Sequence, residues 1–244
     1  MNDNFKVFAS ESDVYAAAAR FFCDCAAGAV RESGFFTAAL SGGTTPDGLF
    51  SLLAGEYHDR IEWSKGHFFW VDDRCVPPES EFSNFGRAER LLLANVPVPP
   101  QNIHRMEAEK TAAADDYELL LRNYKFMRRT ADGIPVFDIV QMGIGYDGHT
   151  ASLFPDTDSL KESERFAIKA GPPVTAQPAV PRITLTLPVL NSAANLFFLV
   201  SDHEKFKLAE YISDYANRIK YPAQLVRPAA GPALWFVTDN RSML

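Results

Sequence analysis

The sequence predicts an α/β fold with a mainly parallel central sheet covered on both faces, and two observations predict it. Short, largely apolar runs alternate with longer stretches whose apolar residues recur at helical spacing. Strands that read as near-continuous apolar runs belong to sheets buried on both sides. In addition, three of the runs lead straight into polar, glycine-rich or charged loops. In open α/β sheets the ligand binds in the crevice outside the carboxyl ends of the strands.

The elements follow in chain order. Residues 13–32 are rich in alanine, with Val14, Ala17, Phe21 and Cys25 at helical spacing and Ser10 and Ser12 as cap candidates. Phe35–Leu40 is a buried-strand candidate that ends in Ser41-Gly42-Gly43-Thr44-Thr45-Pro46. Pro46 suits the first position of the next helix. His67–Val71 is a second strand and runs into Asp72-Asp73-Arg74, which reads as a loop. Residues 83–95 and 111–130 read as helices, and 75–82 and 95–102 as loops. Phe137–Met142 is a third strand, ending in Gly143-Ile144-Gly145-Tyr146-Asp147-Gly148-His149. The Pro-rich stretch 171–181 is a loop rather than a linker, because the strand–helix pattern resumes after it. Leu196–Val200 is a fourth strand, a helix follows over 203–216, and Leu234–Val237 is the last strand. No internal repeat interrupts the pattern, so residues 1–244 read as one domain.

Composition narrows the function classes. Hydrophobic residues make up 47% and charged residues 23%, which is ordinary globular usage. The formal net charge is 24 − 31 = −7, which argues against a general nucleic-acid binder and an anionic-membrane binder. No apolar run reaches the ~20 residues of a membrane helix. Met1–Lys6 is polar, without the basic and apolar pattern of a signal peptide. Three cysteines, Cys23, Cys25 and Cys75, are too few and odd in number for a disulfide framework. A cytoplasmic protein is expected, either a monomer or a small homo-oligomer.

Three loops carry chemistry. In Ser41–Pro46, glycines allow close backbone approach, and a following helix N-terminus favours an anion. Arg74 can grip a phosphate or carboxylate bidentately, with Asp72 and Asp73 to orient it or handle a proton. His149 is the best general base in the chain, since imidazole titrates near neutral pH, and Asp147 two residues away can fix its tautomer. Glycines around these two residues allow close substrate approach, and their N–H groups can stabilise an oxyanion. Lys205 opens the helix after the fourth strand and can reach a phosphate. His58, His67, His104 and His203 form no metal-ligand spacing, and no G-x-S-x-G elbow is present.

Taken together, Ser41–Pro46, Asp72-Asp73-Arg74-Cys75-Val76-Pro77 with Ser83-Asn84, and Gly143-x-Gly145-x-Asp147-Gly148-His149-x-Ala151-Ser152-Leu153-Phe154-Pro155 resemble the glucosamine-6-phosphate isomerase/6-phosphogluconolactonase family, and its lactonase branch in particular. Lys205 and Tyr221-Pro222-Ala223-Gln224 are similar too, so the resemblance spans about Val7 to Asp239. It implies a Rossmann-like three-layer α/β/α sandwich with no metal and no organic cofactor. Deaminases of the family carry a glutamate five residues after the motif histidine, where this chain has Phe154, and usually an aromatic residue in place of Arg74. Both departures favour the lactonase. Asp73 stands where glutamate is more usual in lactonases. The end, Asp239-Asn240-Arg241, lacks the small residues expected there.

The resemblance implies hydrolysis of 6-phospho-D-glucono-1,5-lactone, a small phosphorylated lactone, to 6-phosphogluconate. His149, Asp147 and Arg74 are the expected catalytic residues. Ser41, Gly42, Gly43, Thr44, Asp72, Arg74, Asn84, Gly143 and Lys205 are expected to bind substrate. Competing readings are a deaminase or other sugar-phosphate isomerase on the same fold, and a non-catalytic sugar-phosphate sensor. The sensor fits less well, since such regulators usually add a DNA-binding domain for which this chain has no spare length.

Overall fold

The computed structural model describes residues 3–239; Met1, Asn240 and Arg241, which entered the reading above, lie outside them. The chain runs β1 (Phe5–Phe8), α1 (Glu11–Ser33), β2 (Phe36–Leu40), α2 (Asp47–Ala54), β3 (Gly66–Trp70), β4 (Asp72–Arg74), α3 (Asn84–Leu91), α4 (Ala113–Asn123), β5 (Arg128–Arg129), β6 (Pro135–Val136) and β7 (Ile139–Met142). It continues through β8 (Ala167–Ala170), β9 (Arg182–Leu185), α5 (Leu187–Asn191), β10 (Leu196–Val200), α6 (Phe206–Ser213) and β11 (Leu234–Thr238). Six strands form a parallel sheet in the order β1-β11-β10-β7-β2-β3. The fold is the expected Rossmann-like three-layer α/β/α arrangement. Every residue of β2, β3, β7 and β10 is buried, as the apolar runs require.

The strand order positions the site. From β2 the chain steps outward to β3, whereas from β7 it steps the other way to β10. The sheet therefore reverses direction between β2 and β7, and the loops after these two strands open side by side onto one crevice. Gln141 of β7 fastens them, its Oε1 accepting the Ser41 N–H at 2.9 Å.

Several boundaries shift, each for a physical reason. Helix α1 is capped by Ser10, whose hydroxyl accepts the Asp13 N–H, and ends at Gly34 in the left-handed conformation. Its buried face is Val14, Ala18, Phe22, Ala26 and Ala29, so Ala17, Phe21 and Cys25 lie at the margin of the expected stripe. Pro46 sits one residue before α2, and no threonine side chain caps that helix. The helices expected over 83–95, 111–130 and 203–216 are shorter, because 93–95 and 203–205 tighten into 3₁₀ turns and 128–129 pairs with 135–136 as a hairpin. Strand β1 was not expected. It is a four-residue edge strand, only half-buried, so it leaves no apolar run to see.

Asp72–Arg74 is the main correction. It is not a loop but strand β4, antiparallel to β9, which pairs in turn with β8. Its partner lies more than a hundred residues away, so no local signal marks it.

One cluster makes the fold sensitive to acid. His67 is buried, its ring stacks on Phe126, and its Nδ1 meets the Tyr124 hydroxyl at 2.8 Å; His104 stacks on Phe69. Burial pushes both imidazoles down to about 4, helped by Lys125 at His67 and by His67 at His104. The unfolded chain takes up both protons near 6.5 while the folded one stays neutral until about 4. Stability from these groups is present above that window and is lost as pH falls through it. Asp73, which burial pushes up to about 6, opposes the trend with one proton. Urea unfolding should therefore show falling stability from pH 6.5 towards 4, and His104→Phe should flatten the slope by about one proton equivalent. An unchanged slope in the variant would refute this account.

Candidate active site

A cleft of about 630 Å³ opens over the reversal point of the sheet. Every site residue expected from sequence lines it: Ser41, Gly42, Gly43 and Thr44 after β2, Asp72 and Arg74 on β4, Asn84 at the start of α3, Gly143, Asp147 and His149 after β7, and Lys205 after β10.

The loop after β2 is shaped by its neighbours. A Cβ on Gly42 would lie 1.7 Å from Asn84 Oδ1, so only glycine lets α3 approach. Asn84 in turn donates from Nδ2 to the carbonyl and carboxylate of Asp72, at 2.8 and 3.0 Å. Asp73 does not enter the cleft lining. Its carboxylate accepts the backbone N–H groups of Arg74, Asn84 and Phe85 and the Ser83 hydroxyl. It therefore anchors the N-terminus of α3, where a negative charge is favoured. The sequence reading that Asp73 orients the Arg74 side chain or handles a proton is corrected accordingly.

The loop after β7 builds a dyad. His149 Nδ1 and Asp147 Oδ1 are 2.5 Å apart, and the His149 N–H donates to the same oxygen at 3.1 Å. Burial pushes the Asp147 carboxyl up, but hydrogen bonds from His149 and Thr175 outweigh it and hold the group well below the usual carboxylate range. It is therefore ionised throughout the neutral region. With Nδ1 engaged, Nε2 is the ring nitrogen left for a substrate. Phe154 packs on the imidazole with ring centroids 4.3 Å apart. Gly148, at φ +73°, makes the turn and lies against Tyr221, where a Cβ would come within 2.5 Å. The Tyr221–Gln224 segment also donates the Ala223 N–H to the Gly148 carbonyl.

The cleft is locally positive in a net-negative protein. Lys205 Nζ donates to the Ile144 carbonyl at 3.0 Å and sits over the Tyr146 ring; burial draws its pKa down, against Asp202 and Asp147. Arg74 donates from Nη1 to the Phe82 carbonyl at 2.7 Å. Arg182, missed from sequence, faces Arg74 directly across the β4–β9 ladder. Its side chain is 2% exposed, and its nearest carboxylate oxygen is Asp72 Oδ2 at 4.0 Å. The Nε atoms of both arginines are buried without a hydrogen-bond partner. Like charges directly opposite in a sheet are unfavourable, and buried unpaired donors cost about 1–3 kcal/mol. Gln141 and Thr175 also line the site without having been expected. Arg182 had one legible signal, the Ile183-Thr184-Leu185 run after the Pro-rich stretch; Thr175 had none.

Comparison with known proteins shows the family and the fold. The family model described as glucosamine-6-phosphate isomerases/6-phosphogluconolactonase matches residues 9–235. The chain is 35% identical to 6-phosphogluconolactonase 3, chloroplastic, of Arabidopsis thaliana, over 97% of this chain and 74% of the relative. It is 34% identical to the 6-phosphogluconolactonase of a Nostoc species, covering 86% and 84% of the two chains. Among solved structures, 6-phosphogluconolactonase from Leishmania guyanensis superposes with a TM-score of 0.87 at 26% identity, covering 98% of this chain and 97% of that one.

Proposed function

The chain belongs to the glucosamine-6-phosphate isomerase/6-phosphogluconolactonase family, and from that premise we propose that it hydrolyses 6-phospho-D-glucono-1,5-lactone to 6-phosphogluconate in the oxidative pentose phosphate pathway. One observation carries the choice within the family: the imidazole of the His149–Asp147 dyad packs on the Phe154 ring rather than on a carboxylate. No ionisable group at that position is available to pass a second proton, as an isomerase or deaminase would need. Hydrolysis needs one base and one returning proton.

In the proposed reaction His149 Nε2 takes a proton from water as the water oxygen bonds to the lactone carbonyl carbon. Charge collects on the carbonyl oxygen, for which the Gly42-Gly43 and Gly143 amides are the candidate donors. The bond to the ring oxygen then breaks, and that oxygen receives the proton from His149. Asp147 stays ionised and holds the ring. The phosphate is assigned to the 41–45 turn with Arg74, Arg182 and Lys205, whose positive charge suits a group of about −1.5 to −2. The three cysteines are free, in keeping with a reducing compartment, and the cytoplasm is the proposed one. None of the described helices is long and apolar enough to cross a membrane.

The test is hydrolysis of freshly prepared lactone, with product read through excess 6-phosphogluconate dehydrogenase as NADPH absorbance. A rate well above the enzyme-free blank is expected. A rate equal to the blank, with ammonia released from glucosamine 6-phosphate, would move the protein to the deaminase branch.

A further inference from the structure

Segment 171–181 has no regular secondary structure, yet it reaches the dyad. Asp147 Oδ1 serves His149 through two hydrogen bonds. Asp147 Oδ2 accepts the hydroxyl of Thr175. Thr175 lines the substrate cleft and also a second cavity of about 870 Å³. The segment is thus part of the wall between the two spaces, and its one polar contact with the dyad is at the carboxylate oxygen that His149 leaves free.

The terminal torsion of an aspartate is broad. A carboxylate bound through one oxygen can turn and carry the imidazole with it; a second anchor on the other oxygen removes that freedom. The charged groups that act on Asp147 are His149, Lys205 and Arg182. Among the described residues, Thr175 is the hydrogen-bond donor to Oδ2. We propose that Thr175 is a positioning residue whose hydroxyl holds the Asp147 carboxylate in the orientation that aligns His149. The inference rests on the His149 reading above.

Thr175→Val removes the donor and keeps the β-branched shape, while Thr175→Ser keeps the donor and removes the methyl. Loss of one hydrogen bond to a charged, catalytically coupled group should lower kcat by about tenfold in Thr175→Val. KM should change little, and Thr175→Ser should stay near wild type. The downfield proton resonance of the His149 Nδ1–H should move or broaden in Thr175→Val and be retained in Thr175→Ser. Unchanged kcat and resonance in Thr175→Val would overturn the proposal. So would an equal loss in both variants, which would point to the methyl group. His149→Asn is measured alongside: if it stays fully active, the dyad reading fails, whereas an inactive His149→Asn beside an unaffected Thr175→Val sinks the Thr175 role alone. If Thr175→Val does not fold, Thr175→Ala is subjected to the same two readouts with the same decision.

Discussion

Replacing His149 with alanine should lower kcat by about 10²–10⁴, the usual contribution of a positioned general base. KM should change only modestly, because the residue's main work is proton transfer rather than grip on the phosphate. The geometry sharpens this expectation. The ring is held at Nδ1 by Asp147 at 2.5 Å and on its face by Phe154 at 4.3 Å. Neither neighbour can substitute as the base. Phe154 does not ionise, and Asp147 is a weak base whose carboxyl lies well below the usual range. The lactone opens spontaneously, so the variant rate must be taken above the blank. Wild-type turnover in His149→Ala would show that the base has been misassigned.

Replacing Arg74 with alanine should act on the other half of the problem. Charge-assisted hydrogen bonds contribute about 1.5–3 kcal/mol, so KM should rise by roughly 10–100-fold while kcat falls little. Arg74 is fixed for this task by its place on β4 and by the Phe82 carbonyl, which leaves Nε unpartnered. Arg74→Lys should rescue only part of the loss, since an ammonium cannot reproduce the guanidinium fork. Inhibition by inorganic phosphate should weaken in parallel with substrate binding. A collapse of kcat at unchanged KM would instead place Arg74 at the developing oxyanion.

Much of this site was legible before any coordinates. The dyad lies within three consecutive residues, Asp147-Gly148-His149, where local geometry alone brings a carboxylate to an imidazole. The buried strands announced themselves as apolar runs, and the glycines beside them marked loops at their carboxyl ends. Asp72, Arg74 and Lys205 stand out as residue types after strands, and Asn84 through the family resemblance, without any knowledge of what they face. Their convergence on one cleft follows from strand order, and strand order is decided by which buried surfaces pack together.

What only the tertiary structure decided depends on pairings distant in sequence. The β4–β9 ladder sets Arg182 opposite Arg74 and turns a presumed loop into one wall of the cleft. The same strand keeps Asp73 out of the cleft lining and sets it on the amides of α3. The Thr175 hydroxyl meets Asp147 from an irregular loop that has no periodicity to read. Sequence by itself determined the fold class, the dyad and the loops that carry the chemistry, because period, glycine placement and short spacing are local properties. Register between remote strands and contacts made by irregular loops arise from packing of the whole chain, so they became visible only when it was folded.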